Sequence, residues 1–179
     1  MSERAWTRRK ILENKVFIKT VDEVAAFMDR TGIKYALVGG IAVAIHANPP
    51  VTIDADFLVF EEDMNVLKSF FKDSGWNVVP LLFSSRQKGI PRNGWALRKK
   101  ARTSIDLIST SDDAFLRRAL TMATQHRIGN RLIPVIGVND LIIMKTLVGR
   151  DKDIDDTVAL RQANDVDDEY INSTLEKLW

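Results

Sequence analysis

The sequence predicts an α/β (α+β) fold: a mixed β-sheet covered by helices, with a helical C-terminal part. Three observations predict it. Thr52–Phe60 alternates with the two-residue period of a strand, and Tyr35–Val38 is a short apolar run that reads as a buried one. Phe17, Val21, Val24 and Met28 recur at helical spacing. From Asn139 onward only helical patterns remain. The chain has 179 residues, of which 45% are hydrophobic and 28% charged, enough for a proper core. The expected organisation is a basic arm over 1–14, an α/β body over 15–136 and a helical part over 137–179 packed on that body.

Taken in order, Met1–Lys10 is polar and basic and reads as a frayed terminus. The first helix ends near Thr31-Gly32, with glycine as its stop. After the strand Tyr35–Val38, Gly40–Ala47 reads as a helix halted by Asn48-Pro49-Pro50. Thr52–Phe60 is the second strand. Glu61–Ser74 is an amphipathic helix with Leu67, Phe70 and Phe71 inward and Gly75 as its stop. Trp76–Phe83 reads as a strand interrupted at Pro80, and Ser84–Gly94 as a polar loop. Trp95–Leu97 and Thr103–Ile108 form a hairpin around the basic turn Arg98-Lys99-Lys100. A capped helix over Asp112–Thr124 and a short strand over Arg131–Ile136 follow. Helices over Asn139–Val148, Asp153–Ala163 and Asp167–Leu178 complete the chain.

Composition removes several chemistries. The chain has no cysteine, which excludes disulfides, zinc–thiolate sites and thiol nucleophiles. His46 and His126 leave little for histidine-centred catalysis, and His46 reads as a partly buried helix histidine. No apolar run approaches the roughly 18 residues of a membrane span, and no signal-peptide core is present, so the expectation is a soluble, cytoplasmic protein without a membrane partner. The net charge of +2 hides a segregation. Between Ser74 and Ile105 the charged residues are Arg86, Lys88, Arg92, Arg98, Lys99, Lys100 and Arg102, whereas Asp151–Glu169 is strongly acidic. The segment Arg86–Arg102 is equally well read as a contact for an RNA or protein acceptor and as solvated surface. Trp76 and Trp95 read first as core or platform residues, although Trp95 beside the basic hairpin could stack on a base.

The chemistry gathers in the second strand. In Ile53-Asp54-Ala55-Asp56-Phe57, Asp54 and Asp56 share one face, and two adjacent carboxylates repel unless a cation or a proton intervenes. A hard divalent cation such as magnesium suits paired oxygen ligands. Gly39-Gly40, leaving a strand and opening a helix, makes a plausible phosphate cradle at the positive end of the helix dipole. Asp106 lies inside the apolar strand Ser104-Ile105-Asp106-Leu107-Ile108, where an unpaired charge is costly. If its strand lies beside the second strand, three carboxylates converge and can hold two magnesium ions, with manganese as the substitute. Otherwise Asp106 is an edge-strand surface residue. Cradle and carboxylates together point to chemistry on a nucleoside triphosphate.

This set resembles the minimal nucleotidyltransferase superfamily, which shares its sheet with DNA polymerase beta. The match is closest to a bacterial branch that includes toxin and antitoxin nucleotidyltransferases. Val38-Gly39-Gly40-Ile41-Ala42 and Thr52-Ile53-Asp54-Ala55-Asp56 carry it, together with Asp140–Lys145 and Gly149–Asp156. The resemblance implies that Gly39 and Gly40 hold the triphosphate and that Asp54 and Asp56 bind both metals. It implies that Asp106 completes the catalytic metal site and helps take the acceptor proton. Lys145 would then point toward the phosphates, assisted by Arg150. Without the resemblance, Lys145 reads as a snorkelling lysine. Asp153, Asp155 and Asp156 read as helix N-terminal charge and local ion pairing. Relatives commonly carry an arginine just before the Thr-x-Asp-x-Asp strand, where this chain has Pro50 and Val51.

The leading expectation is metal-dependent transfer of a nucleoside monophosphate from a nucleoside triphosphate to a hydroxyl of RNA, protein or a small molecule. The alternative is a catalytically weak or inactive module of the same fold, such as a toxin–antitoxin component with a cognate protein partner. A glycosyltransferase using the D-x-D motif is a third reading, which the early glycine pair and brief first strand fit poorly.

Overall fold

A computed structural model of the chain describes residues 10, 13–47, 54–82, 89–91 and 93–179. Outside them lie Arg8 and Arg9 of the arm, the Asn48-Pro49-Pro50 break, Val51, Thr52 and Ile53. Arg86, Lys88 and Arg92 of the basic segment also lie outside them.

Helix α1 (Lys15–Thr31) begins where the Asn14 side chain accepts the Phe17 N–H, and it ends at Gly32 in the left-handed conformation. It leads into β1 (Tyr35–Val38), which is buried throughout and passes directly into α2 (Gly39–Ala47). Strand β2 (Ala55–Val59) and a 3-10 turn (Glu61–Asp63) precede α3 (Met64–Asp73). The strands β3 (Asn77–Leu82), β4 (Asn93–Arg98) and β5 (Ile105–Ser109) come next. Helix α4 (Ala114–Thr121), β6 (Thr124–Ile128) and β7 (Arg131–Val135) follow. The chain closes with α5 (Val138–Val148), α6 (Asp151–Ala163) and α7 (Asp168–Leu178).

Among the described residues the strands form one seven-stranded sheet in the order β3-β4-β5-β2-β1-β7-β6. Strand β2 runs antiparallel to β1 and parallel to β5, and β1 runs parallel to β7, so the sheet is mixed as expected. A single cluster of buried apolar side chains runs from Phe17 through the strands to Leu160 and Ile171, so the helical C-terminal part and the α/β body share one core. Helix α2 packs on β1, β2, α5 and α6. No helix among the described residues is long and apolar enough to cross a membrane.

Three local expectations need correction. Strand β3 runs unbroken through Pro80, which pairs with Trp95, because β3 is an edge strand whose outward N–H positions need no partner. Arg98 belongs to β4 rather than to the turn. The helix expected to reach Thr124 stops at Thr121, and Thr124–Ile128 forms the far edge strand β6. That strand is polar and exposed along most of its length, so it shows no alternation that a sequence reading could use.

Candidate active site

The site is assembled by strand register. Strand β2 pairs with β5 so that Asp56 lies opposite Asp106, and with β1 so that Asp56 lies opposite Val38, the residue before Gly39. In a parallel ladder, directly opposite residues point to the same face about 5 Å apart. Asp54, the residue before β2, is exposed, and its charge acts on Asp56. Asp56 and Asp106 therefore meet on one patch of sheet, contributed by two strands far apart in sequence, with Asp54 near enough for its charge to act on Asp56.

Gly39 has a steric role that the sequence reading did not give it. Its φ is +68°, and a Cβ built on it would fall 2.0 Å from Oδ2 of Asp56 and 3.0 Å from its Cγ. The Asp56 carboxyl thus occupies the space that any other residue at 39 would fill, at a backbone angle that L side chains rarely adopt. Gly40 lies in the first turn of α2, where backbone N–H groups have no partner within the helix.

Electrostatics single out Asp56. Its pKa is raised from 3.8 to about 7, first by burial and then by the negative charges of Asp106 and Asp54; Lys145 and Lys152 oppose the rise. The residue as a whole keeps some exposed surface. Its carboxyl group, however, lies deep among protein atoms, and that depth governs its charging. Two further carboxylates beside one that resists ionising on its own offer hard oxygen donors of the kind a magnesium ion takes. Among the described residues no group of three or more His, Asp or Glu side chains already stands arranged to hold a metal ion. One oxygen of Asp106 is engaged elsewhere, since Arg98 donates Nη1–H to its Oδ1 at 2.8 Å.

The positive side of the site comes from α5 and the start of α6. Lys145 is 8% exposed, and its Nζ lies 2.8 Å from Oδ1 of Asp153 and 2.7 Å from Oδ2 of Asp156. The second approach is an ion pair without hydrogen-bond alignment, since Oδ2 of Asp156 has no hydrogen-bond partner among the described residues. Arg150 donates to the same Asp153 from Nε at 2.7 Å and from Nη2 at 3.1 Å. Burial opposes the charge on Asp153, but hydrogen bonds from Arg150 and Lys145 outweigh it and hold its carboxyl below the ordinary range. Local ion pairing, the expected role of Asp153 and Asp156, is what they perform. They fix Lys145 rather than leave it extended toward a ligand, while its charge still reaches Asp56. The Arg150 guanidinium is held charged chiefly by Asp153, with Asp56 a more distant contributor.

Lys152 was given no role by the sequence. It stands in the first turn of α6, and its charge acts on Asp56. The available signal was its position two residues after Arg150, at a helix start that turns out to face the carboxylates. His46 is a half-buried helix histidine with Nε2 2.9 Å from the Ile136 carbonyl and its ring edge-on to His126. Trp76 is buried. Trp95 is half-buried beneath the Lys68 ammonium, 4.3 Å from the ring centre. In the basic segment, Arg102 pairs with Glu23 of α1, and Lys99 bonds the Ser74 carbonyl and lies 3.6 Å from Glu23.

No family model matches the chain, and no curated protein does. Solved structures match. An antigenic nucleotidyltransferase-like protein from Paracoccidioides brasiliensis gives a TM-score of 0.59 at 17% identity, over 98% of this chain and 89% of its own. The lincosamide antibiotic adenylyltransferase LnuA, solved with lincomycin bound, gives 0.57 at 14% identity, over 84% of this chain and all of its own (100%). ANT(2'')-Ia, in complex with adenylyl-2''-tobramycin, gives 0.60 at 12% identity, over 90% and 95% of the two chains. At such identities the likeness establishes the fold.

Proposed function

We propose that this chain, which has the minimal nucleotidyltransferase fold, transfers a nucleoside monophosphate from a nucleoside triphosphate to an acceptor hydroxyl. The observation that carries the reading is the register pairing of Asp56 with Asp106, beside a glycine turn that opens a helix and within reach of cationic side chains.

Asp54, Asp56 and Asp106 would hold two magnesium ions, whose chemistry is to neutralise the triphosphate and make the acceptor hydroxyl easier to deprotonate. The remaining work belongs to the chain. The first N–H groups of α2, at Gly39 and Gly40, offer hydrogen bonds to phosphate oxygens at the positive end of the helix. Lys145, Arg150 and Lys152 place positive charge beside Asp56, which favours a polyanion over bulk water at that spot. A carboxylate oxygen of Asp106 accepts the proton of the attacking hydroxyl. Catalysis is then positioning and charge neutralisation, with no covalent intermediate on the protein. The similar LnuA and ANT(2'')-Ia were solved with an antibiotic and an adenylylated antibiotic, which supports a hydroxyl-bearing small molecule as the acceptor class to try first.

The test is calorimetric binding of magnesium–ATP together with pyrophosphate release in the presence of hydroxylated acceptors. Binding by the native chain that is lost in Asp54→Ala is expected. Absence of binding to the native chain, or equal affinity in the variant, would remove the reading. One observation favours the second reading, a catalytically weak binding module in the manner of a toxin–antitoxin component: Arg98 already occupies an oxygen of Asp106. A tight complex with a partner protein, formed without nucleotide and unchanged by it, would support that alternative.

A further inference from the structure

Arg98 is the one residue of the basic segment whose charge stands, among the described residues, directly on the carboxylate patch. It lies two residues beyond Ala96, the register partner of Asp106, and so projects from the same face of the sheet. Among the described residues its side-chain hydrogen bonds all come from Nη1: to Oδ1 of Asp106 at 2.8 Å, to the Ile105 carbonyl at 3.0 Å and to the Leu97 carbonyl at 3.1 Å. Nε and Nη2 donate to nothing among the described residues, and the side chain is 42% exposed. Arg102 and Lys99, by contrast, are spent on Glu23 and the Ser74 carbonyl.

A guanidinium is a planar fork that binds phosphate through two parallel N–H groups. Here one nitrogen is anchored to the strands and to Asp106, while among the described residues the edge formed by Nε and Nη2 has no partner. We infer that Arg98 is a phosphate-binding residue of this site: it holds Asp106 with Nη1 and offers its open edge to the triphosphate. The inference rests on the nucleotidyl-transfer reading and deepens it. Anchoring gives Arg98 two opposed effects. It attracts the polyanion, and it competes with a divalent cation for Asp106.

The experiment measures two affinities by calorimetry on the native chain, Arg98→Ala and Arg98→Lys: manganese alone, and inorganic tripolyphosphate in the presence of chelator. Arg98→Ala is expected to bind tripolyphosphate about tenfold more weakly, the scale of one charge-assisted hydrogen bond, and manganese several-fold more tightly. Arg98→Lys keeps a cation beside Asp106 but loses the fork; its manganese affinity stays near that of the native chain while its tripolyphosphate affinity falls. Native-like values for both ligands in both variants would overturn the inference and leave the transfer reading standing. A native chain that binds neither ligand would overturn the transfer reading and this inference with it.

Discussion

Replacing Asp56 by asparagine gives a stability change whose sign and size follow from the site. The carboxyl ionises near 3.8 in the unfolded chain and near 7 in the folded one, because burial and the charges of Asp106 and Asp54 disfavour the anion. Between those two pH values the folded chain holds a proton that the unfolded chain has released, so stability falls as pH rises from about 4 to about 7 and is level above that. The interval amounts to up to about 4 kcal/mol at 1.36 kcal/mol per pH unit, an upper bound reached only if the surroundings do not relax. Asparagine keeps the shape and cannot ionise. In chelator at pH 8, Asp56→Asn is expected to be more stable than the native chain by a few kcal/mol, and at pH 4 the two should be about equal. Urea denaturation at both pH values measures this. Adding manganese at pH 8 should stabilise the native chain and leave the variant nearly unmoved. A variant less stable than the native chain at pH 8 in chelator, or one with an unchanged pH slope, would refute the electrostatic reasoning.

Two more substitutions test neighbouring parts. Gly39→Ala puts a Cβ where Oδ2 of Asp56 lies, at a φ that costs an L-residue about 1–2 kcal/mol. It should lower both the melting temperature and manganese affinity, whereas Gly32→Ala, at a similar φ but with nothing within 4 Å, should lower only the first. Lys145→Met leaves the carboxylates of Asp153 and Asp156 buried, with Arg150 alone beside the first. It should cost about 3–5 kcal/mol in urea denaturation, part of it recovered by adding Asp156→Asn.

The parts of this site that sequence exposes are those set by local period. Alternation alone predicts Asp54 and Asp56 on one face, and the apolar flanks of Asp106 mark it as a charge held in a strand. The pairing that makes them a site is parallel and joins β2 to β5 across a helix and two strands, so no local pattern encodes it. The same holds for Lys145. Its helix is legible, but the carboxylates that pin it come from α6, and only packing brings them within 3 Å. Gly39 is visible as a glycine, yet its need to clear the Asp56 side chain depends on the antiparallel register of β1 and β2. Strand β6 escaped because an exposed edge strand needs no apolar face, and β3 was read as broken because its place at the other edge is a property of the whole sheet.

The measurement that bears most directly on the nucleotidyl-transfer account is a crystal of the native chain grown with manganese and a non-hydrolysable nucleoside triphosphate, read by anomalous scattering. The account predicts manganese about 2 Å from carboxylate oxygens of Asp54, Asp56 and Asp106, with the triphosphate against the N-terminal turn of α2. Manganese bound elsewhere, or a triphosphate bound away from these three carboxylates, would contradict it.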